Sequence, residues 1–306
     1  MLVCDPVHEA GVGMLREAGF EVDLKTSIGG DELGEIIGGY DAIVVRSRTK
    51  VTKEVLTESG RLRVIARAGV GLDNVDVAEA KERGIEVINS PEASSNAVAE
   101  LVMGFMLSLA RRIPEADASM KRAEWIKRRL SGFELEGKTL GVIGFGRIGF
   151  LVAKKAKALG MRVLTYDAII EKLMDLVEEA GAEAVSLETL LSSSDFVTVH
   201  VPLIPQTRHM IGRKEIGMMK RGAYVINAAR GGVVDEVALR EALTDGVLAG
   251  AALDVYEEEP PRDISLVGLG SVVCTPHIGA ATGEAQSASS TIIAEKLIKI
   301  FSQVEG

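Results

Sequence analysis

Three segments in the second half of the chain carry polar groups that a packed core does not want. In Ile226-Asn227-Ala228-Ala229-Arg230-Gly231-Gly232 an arginine directly follows a buried-looking apolar run and precedes two glycines. In Ala251-Ala252-Leu253-Asp254-Val255-Tyr256 a similar run ends in an acid and leads into Glu257, Glu258 and Glu259, ahead of Pro260. In Cys274-Thr275-Pro276-His277-Ile278-Gly279-Ala280 a histidine stands just past a third run. An arginine, a carboxylate and a histidine make a set suited to oxidising an alcohol next to a carboxylate. The arginine can hold a carboxylate or carbonyl oxygen by charge-assisted hydrogen bonds, and the histidine can take the hydroxyl proton as hydride leaves the same carbon. A carboxylate beside the ring would orient it and favour imidazolium. A satisfied surface histidine and a solvated acidic loop are the ordinary alternatives for the same residues.

Hydride needs an acceptor, and Gly144-Phe145-Gly146-Arg147-Ile148-Gly149 supplies a place for one. Glycines cluster in loops for many reasons, so the spacing alone says little. Here the strand-like TLGVI precedes it and the helical FLVAKKAKALG follows. In that context the first glycine permits a tight turn, the second lets backbone approach a pyrophosphate, and the third allows close helix-to-strand packing, with free N–H groups of the helix start facing the anion. Asp167, 18 residues after Gly149, ends the next strand-like run, VLTYD. An acid there can bond both ribose hydroxyls of an adenosine and repels a 2′-phosphate, and Ala168, Ile169 and Ile170 offer no arginine for one, so NAD is favoured over NADP. Taken alone, Asp167 would read as a strand-end cap.

The elements that must position these groups alternate. Ala42 to Val45, Val64 to Arg67 and Glu86 to Ile88 read as strands with helical patterns between them. A second series begins at Thr139, with strands near Leu140 to Ile143, Val163 to Tyr166, Phe196 to His200, Tyr224 to Asn227, Ala251 to Asp254 and Val272 to Thr275. Such alternation signals βαβ units and parallel sheets, and the chemistry-bearing segments then fall at C-terminal strand ends, where open α/β sheets bind ligands. Between the two series a helix is expected from about Asn96 to Ile113, with Ser94, Ser95 and Asn96 as cap candidates and Pro114 as a stop. A last helix is expected from about Gly283 to Phe301, with Ile292, Ile293, Leu297 and Ile300 on one face. Composition does not say which domain it joins.

At 306 residues two domains are the natural expectation. No apolar run is long enough to span a bilayer, and Asp5 and Glu9 interrupt where a secretory signal would be basic and then apolar, so a cytoplasmic protein is expected. Two cysteines, Cys4 and Cys274, suit a reducing compartment and provide neither a metal cluster nor a disulfide framework, so no metal is expected. A net charge of -9 argues against non-specific nucleic-acid binding. One basic segment, Lys121, Arg122, Lys127, Arg128 and Arg129 around Trp125, reads as a solvated helix face.

Together GFGRIG, YD, HVP, NAARGGVVDE, GAALDVYEEEPP and TPHIGAAT resemble the D-2-hydroxyacid dehydrogenase family. RSRTKVT at 46–52, RAGVGLDNVD at 67–76 and NSPEASSNAVAE at 89–100 are similar to its phosphoglycerate-oxidising branch, so the resemblance covers nearly the whole chain. It implies two doubly wound parallel α/β domains. A flavodoxin-like substrate domain, 1–95 and 282–306, would be interrupted by a Rossmann-like NAD domain, 96–281, with catalysis in the cleft as they close. It further implies Arg230 as the substrate-binding arginine, His277 as acid/base and Glu259 as its partner. Cofactor contacts would come from Gly144, Gly146, Arg147, Ile148, Gly149, Asp167, Val201, Pro202, Thr207, Ala228, Ala229, Asp254, Gly279 and Ala280. Substrate contacts would come from Arg46, Ser47, Arg67, Val70 and Gly71.

Val201 and Ala228 stand where relatives often carry threonine or cysteine, so backbone contacts would have to serve there. The chain ends at Gly306 without room for an appended serine-sensing domain, and feedback inhibition through one is not expected. Two other members of the family's chemistry share the catalytic set, glyoxylate and hydroxypyruvate reductases, and Arg46, Arg48, Lys50 and Arg67 are the candidate anion site that would favour a phosphorylated substrate. Formate dehydrogenase pairs its histidine with glutamine, against which Glu259 counts. NAD-sensing transcriptional corepressors share the fold without needing turnover. A homodimer, or a tetramer built from it, is expected, because the 96–113 helix resembles the family's dimer arm and its Leu101, Val102, Phe105 and Met106 are more apolar than an exposed helix needs.

Overall fold

The strand pairings of the computed structural model, which describes residues 1–303, are all parallel and build two sheets in two separate units. The first unit comprises Met1–Ser95 and the chain from Ala280 onward. Its strands β1 (Leu2–Val3), β2 (Asp23–Leu24), β3 (Ala42–Val45), β4 (Val64–Arg67) and β5 (Glu86–Asn89) lie in the order β2-β1-β3-β4-β5. Helices α1 (Glu9–Glu17), α2 (Gly30–Ile36) and α3 (Val77–Glu82) connect them. Residues along the central strands alternate between two cores, as the pleat requires. Leu2, Ile43, Val45 and Ile65 join Leu33 and Ile37 on one side, while Val3, Ala42, Val44 and Ala66 join Leu15 of α1 and Ile293, Ala294 and Leu297 on the other. The last three belong to the C-terminal helix, Gly283–Ser302, which packs on α1. Gly11 makes that approach possible, since a Cβ there would overlap Ser290.

The second unit, Asn96–Gly279, begins with α4 (Ser95–Arg111) and α5 (Ile113–Lys121). Seven strands follow: β6 (Thr139–Ile143), β7 (Arg162–Tyr166), β8 (Glu183–Ala184), β9 (Phe196–Val199), β10 (Tyr224–Asn227), β11 (Gly250–Leu253) and β12 (Val272–Cys274). Their order is β12-β11-β10-β9-β6-β7-β8. Helices α6 (Arg147–Ala158), α7 (Met174–Ala180), α8 (Leu187–Ser193), α9 (Arg213–Met218) and α10 (Glu236–Thr244) provide the crossovers, and the C-terminal helix named above is α11. Leu140, Val142, Phe196, Ile226 and Ala252 face a core shared with α4 and α6, and Val197, Val199, Val225, Ala251 and Leu253 face one shared with α8 and α10. Strands sandwiched in this way must be apolar on both faces, which explains their continuous apolar runs.

Several expectations need correction. Pro114 does not stop the long helix. Arg111 ends α4, Arg112 turns left-handed at φ 51°, and Pro114 sits in the first turn of α5, where its missing N–H costs no hydrogen bond. The basic segment is not one helix face. It leaves α5 at Lys121, turns through Ala123 at φ 58°, and forms only a 3₁₀ turn at Lys127–Arg129, with Trp125 76% exposed. Val102, Phe105 and Met106 are buried in their own unit's core, with Leu101 packed against it, so they are not a surface that needs a partner. The exposed apolar side chains of this region are Leu107, Ile113, Met120 and Trp125 instead. Both cysteines are free, and burial pushes the Cys4 thiol up to about 12, which makes it unreactive. No helix among the described residues is long and apolar enough to cross a membrane.

Candidate active site

The order of strands in the second sheet sets the order of the functional loops. The His277 loop leaves β12, the Glu259 loop β11, the Arg230 loop β10, the His200-Val201-Pro202 loop β9, the glycine loop β6 and Asp167 β7. All emerge from C-terminal strand ends. The chain reverses direction of winding between β6 and β9, the switch point at which such sheets open a crevice.

Each glycine of the loop after β6 shows a different constraint. Gly144 has φ 92°, and a Cβ there would meet the His200 carbonyl oxygen at 2.7 Å and Val201 at 2.8 Å. Gly149 is packed so closely that a Cβ would overlap the Gly144 carbonyl. Gly146 is different: it has no positive φ, and beyond its immediate chain neighbours nothing lies within 4 Å of where its Cβ would stand. Nothing in the chain requires glycine at 146, whereas a ligand approaching the backbone would. Gly146 also caps α6 without a side-chain hydrogen bond, and no acidic residue occupies the first turn, so Arg147, Ile148 and the helix start are left to an anion. These features fit the pyrophosphate of NAD. Asp167 Oδ2 accepts the Phe145 N–H at 2.8 Å and Oδ1 accepts the Ile169 N–H at 3.0 Å, so the cap role and the reach into the glycine loop coexist. Each carboxylate oxygen retains a further lone pair for a ribose hydroxyl.

Neighbouring polar residues hold the other loops. Thr207 Oγ1 donates to the Pro202 carbonyl and accepts the Ile204 N–H at 2.9 Å, closing the loop after β9. Asn227, 2% exposed, accepts the Ala229 N–H and donates to the Arg230 carbonyl at 2.9 Å, shaping the turn that contains Ala228 and Ala229. The Arg230 guanidinium donates to the Ala229 carbonyl at 2.7 Å. Gly231 then lets this turn lie against the next loop, because a Cβ there would overlap the Tyr256 carbonyl and come within 2.8 Å of the Glu257 nitrogen.

Asp254, 1% exposed, fastens the His277 loop to the end of β11. Its carboxylate accepts the Thr275 hydroxyl at 2.6 Å, the Ile278 N–H at 2.8 Å and the Gly279 N–H at 2.8 Å, and its carbonyl accepts the His277 N–H at 2.9 Å. His277 is thereby held in the left-handed region, at φ 52°, a conformation a β-substituted residue adopts only when its surroundings impose it. Its Nδ1 lies 2.7 Å from Glu259 Oε2, and Glu259 Oε1 accepts the Tyr256 N–H at 3.2 Å. With Nδ1 engaged, Nε2 is the ring nitrogen left to exchange a proton with a ligand. Pro276 and Ala280 flank the pair as exposed residues. Sequence reasoning assigned no role to Asn227, Thr275 or Tyr256. Their signal was present, a polar residue at the end of an apolar run, but their partners are distant in sequence.

His200 was also overlooked. Its Nε2 lies 3.0 Å from Thr198 Oγ1, and its Nδ1 is buried without a hydrogen-bond partner among the described residues, although the residue as a whole is half-buried. Burial lowers its pKa to about 3. The unfolded chain takes up that proton near pH 6.5 and the folded chain only near 3, so this contribution to stability is full above pH 6.5 and lost as pH falls through that window. The loss approaches about 1.4 kcal/mol per pH unit. Urea midpoints between pH 7 and 4.5 should fall more steeply for the wild type than for His200→Asn, and parallel curves would remove this account.

The candidate substrate residues belong to the first unit. Arg46 and Ser47 follow β3, Arg67 ends β4, and Val70 and Gly71 lie in the loop after it. The Arg46 guanidinium donates to the Pro6 carbonyl at 3.1 Å, and that of Arg67 lies across Gly69, where a Cβ would overlap it. Arg48 is tied into its own unit. Its Nε is 3.0 Å from the buried Asp5, and its terminal nitrogens donate to the carbonyls of Cys4, Thr26 and Ile28. Lys50 is exposed.

The family model for the D-isomer specific 2-hydroxyacid dehydrogenase NAD binding domain matches residues 103–279. The chain belongs to this family. It is similar to a D-3-phosphoglycerate dehydrogenase of Methanocaldococcus jannaschii, at 53% identity over 98% of this chain and 57% of that protein. A hydroxypyruvate reductase of Thermotoga maritima is 49% identical over 88% of this chain and 87% of its own length. Among solved structures, D-lactate dehydrogenase from Aquifex aeolicus, complexed with NAD and lactic acid, superposes with a TM-score of 0.82 at 32% identity, covering 99% of this chain and 94% of that one. The chain spans little more than half the length of the phosphoglycerate dehydrogenases it matches. Family membership accounts for the NAD-binding sheet.

Proposed function

We propose that this chain is an NAD-dependent dehydrogenase that oxidises D-3-phosphoglycerate to 3-phosphohydroxypyruvate, as in serine biosynthesis. The observation that carries a D-2-hydroxyacid dehydrogenase activity is the His277 Nδ1 to Glu259 Oε2 contact of 2.7 Å, on loops adjacent to that of Arg230. When bound, NAD supplies the hydride acceptor. Gly144, Gly146 and Gly149 with the start of α6 hold its pyrophosphate, Asp167 its ribose, and the loops of Val201, Pro202, Ala228, Ala229, Gly279 and Ala280 line the remainder. Arg230 binds the substrate carboxylate and orients the carbon that loses hydride. His277 Nε2 removes the hydroxyl proton, and Glu259 stabilises the imidazolium that results. In the reverse direction the same ring returns the proton to the keto oxygen.

Phosphoglycerate is chosen because phosphoglycerate dehydrogenases match 97–98% of the chain at 41–53% identity. Arg46, Ser47, Arg67, Val70 and Gly71 are the residues proposed to meet the substrate. Reduction of hydroxypyruvate is the second reading, favoured by the Thermotoga relative, whose whole length the chain nearly matches. NADH formation over a panel of phosphorylated and unphosphorylated D-2-hydroxy acids, with the keto acids in reverse, decides between them. No turnover on any of them would overturn both and leave a binding protein.

Asp167→Ala should weaken NAD binding and relax discrimination against NADP, because a ribose acceptor and a repelling charge are lost together. Michaelis constants for both cofactors test it, and equal use of NAD and NADP by the wild type would contradict the role. We also propose a cytoplasmic homodimer, its contact now resting on the exposed Leu107, Ile113, Met120 and Trp125. Sedimentation equilibrium should give twice the chain mass, and a fully active monomer at micromolar concentration would refute the assembly.

A further inference from the structure

A second histidine–glutamate pair lies beside the first. His209 Nε2 is 3.0 Å from Glu257 Oε1, two residues from Glu259, and His209, like His277, is held left-handed, at φ 51°. Glu257 is in turn engaged by the start of α10. Its backbone N–H donates to Glu236 Oε1 at 2.7 Å, and its carboxylate accepts the Glu236 N–H at 3.3 Å. The reciprocal exchange clamps the Tyr256–Glu259 segment to the helix. Two successive amides of that segment thus serve carboxylates on either side, Tyr256 N–H to Glu259 and Glu257 N–H to Glu236.

We infer that Glu236 is a positioning residue for the acid/base pair, aiming Glu259 at His277 by anchoring the backbone from which Glu259 projects; this rests on the dehydrogenase reading of His277. The clamp is not required to start the helix, since Asp235 already caps α10 by accepting the Ala238 N–H at 3.0 Å. Nor is Glu236 an ordinary surface glutamate. Half-buried, it holds its proton more tightly than usual, first because burial disfavours the charge and, further, because the Glu257 and Glu259 carboxylates repel it, with the hydrogen bond from the Glu257 N–H and the His209 ring opposing. Asp235 completes the charged surroundings, 4.0 Å from His209 Nδ1. A carboxylate kept among like charges at a cost, and bonded to the loop of the acid/base partner, is placed for alignment rather than for solubility.

Glu236→Gln keeps a carbonyl oxygen to accept the Glu257 N–H, whereas Glu236→Ala does not. With the dehydrogenase's own substrate, Glu236→Ala should lower kcat about tenfold, the scale on which small misalignments act, with KM for NAD unchanged and Glu236→Gln close to wild type. Imidazole nitrogen shifts of His277, assigned by their loss in His277→Asn, provide a readout that needs no turnover. In Glu236→Ala they should move to the values seen in Glu259→Gln, and in Glu236→Gln they should stay at wild-type values. Unmoved His277 shifts in Glu236→Ala, or Glu236→Gln as impaired as Glu236→Ala, would overturn the inference. If the shifts respond as expected while the wild type turns over no D-2-hydroxy acid, the positioning stands and the functional reading falls.

Discussion

His277→Ala is expected to lower turnover in both directions by roughly 10² to 10⁴, the range of a lost general acid/base, while NADH still binds. The split follows from where the two functions reside. The ring belongs to the loop after β12, and the glycine loop and Asp167 follow β6 and β7, with β11, β10 and β9 between them. Removing an imidazole that is 49% exposed leaves no buried cavity, so the fold is retained. Fluorescence titration with NADH beside steady-state rates tests the expectation. A variant that keeps more than a tenth of wild-type turnover would remove His277 from proton transfer.

Gly231→Ala is the second large effect, and it comes from a residue that touches no reactant. The added methyl would overlap the Tyr256 carbonyl, so the turn bearing Arg230 and the segment bearing Glu259 must separate. A displacement of about 1 Å in such a constellation can cost about 10²-fold in rate. The expected result is a fall of that order in kcat. Backbone atoms on both sides leave little to yield, and a loss of about 1–3 kcal/mol in stability is expected as well. Urea unfolding and kinetics on the same preparation separate the two effects. Wild-type kcat in a folded Gly231→Ala would show that the spacing of these loops does not govern catalysis.

Much of the fold was legible because its signals are local. Runs such as AIVV at 42–45 and TLGVI at 139–143 are apolar throughout, as strands covered on both faces must be. Boundaries shifted by a residue where a polar terminus looked like strand: His200, Asp254 and Thr275 lie one residue beyond β9, β11 and β12. Leu2–Val3, Asp23–Leu24 and Glu183–Ala184 were not foreseen, since two residues carry no period. The misreading of Pro114 has a different origin. A proline that ends one helix and one that opens the next look alike until the left-handed turn at Arg112 is seen.

The amino-acid sequence by itself determined which chemical groups stand at the ends of which strands, because strand propensity, glycine spacing and residue type are properties of short segments. It also determined the family, through the motifs those segments spell. Only the tertiary structure decided which groups meet. Leu101, Val102, Phe105 and Met106 read as a surface in want of a partner, yet their own unit buries three of them and packs against the fourth. Arg48 read as an exposed charge, yet it pairs with the buried Asp5, 43 positions earlier. Arg230, Glu259 and His277 are brought to one edge by the adjacency of β10, β11 and β12, and the Asp254 and Gly231 contacts set their spacing. The physical reason is common to all three cases: burial and hydrogen bonding are decided between segments far apart along the chain, by packing that no local pattern encodes.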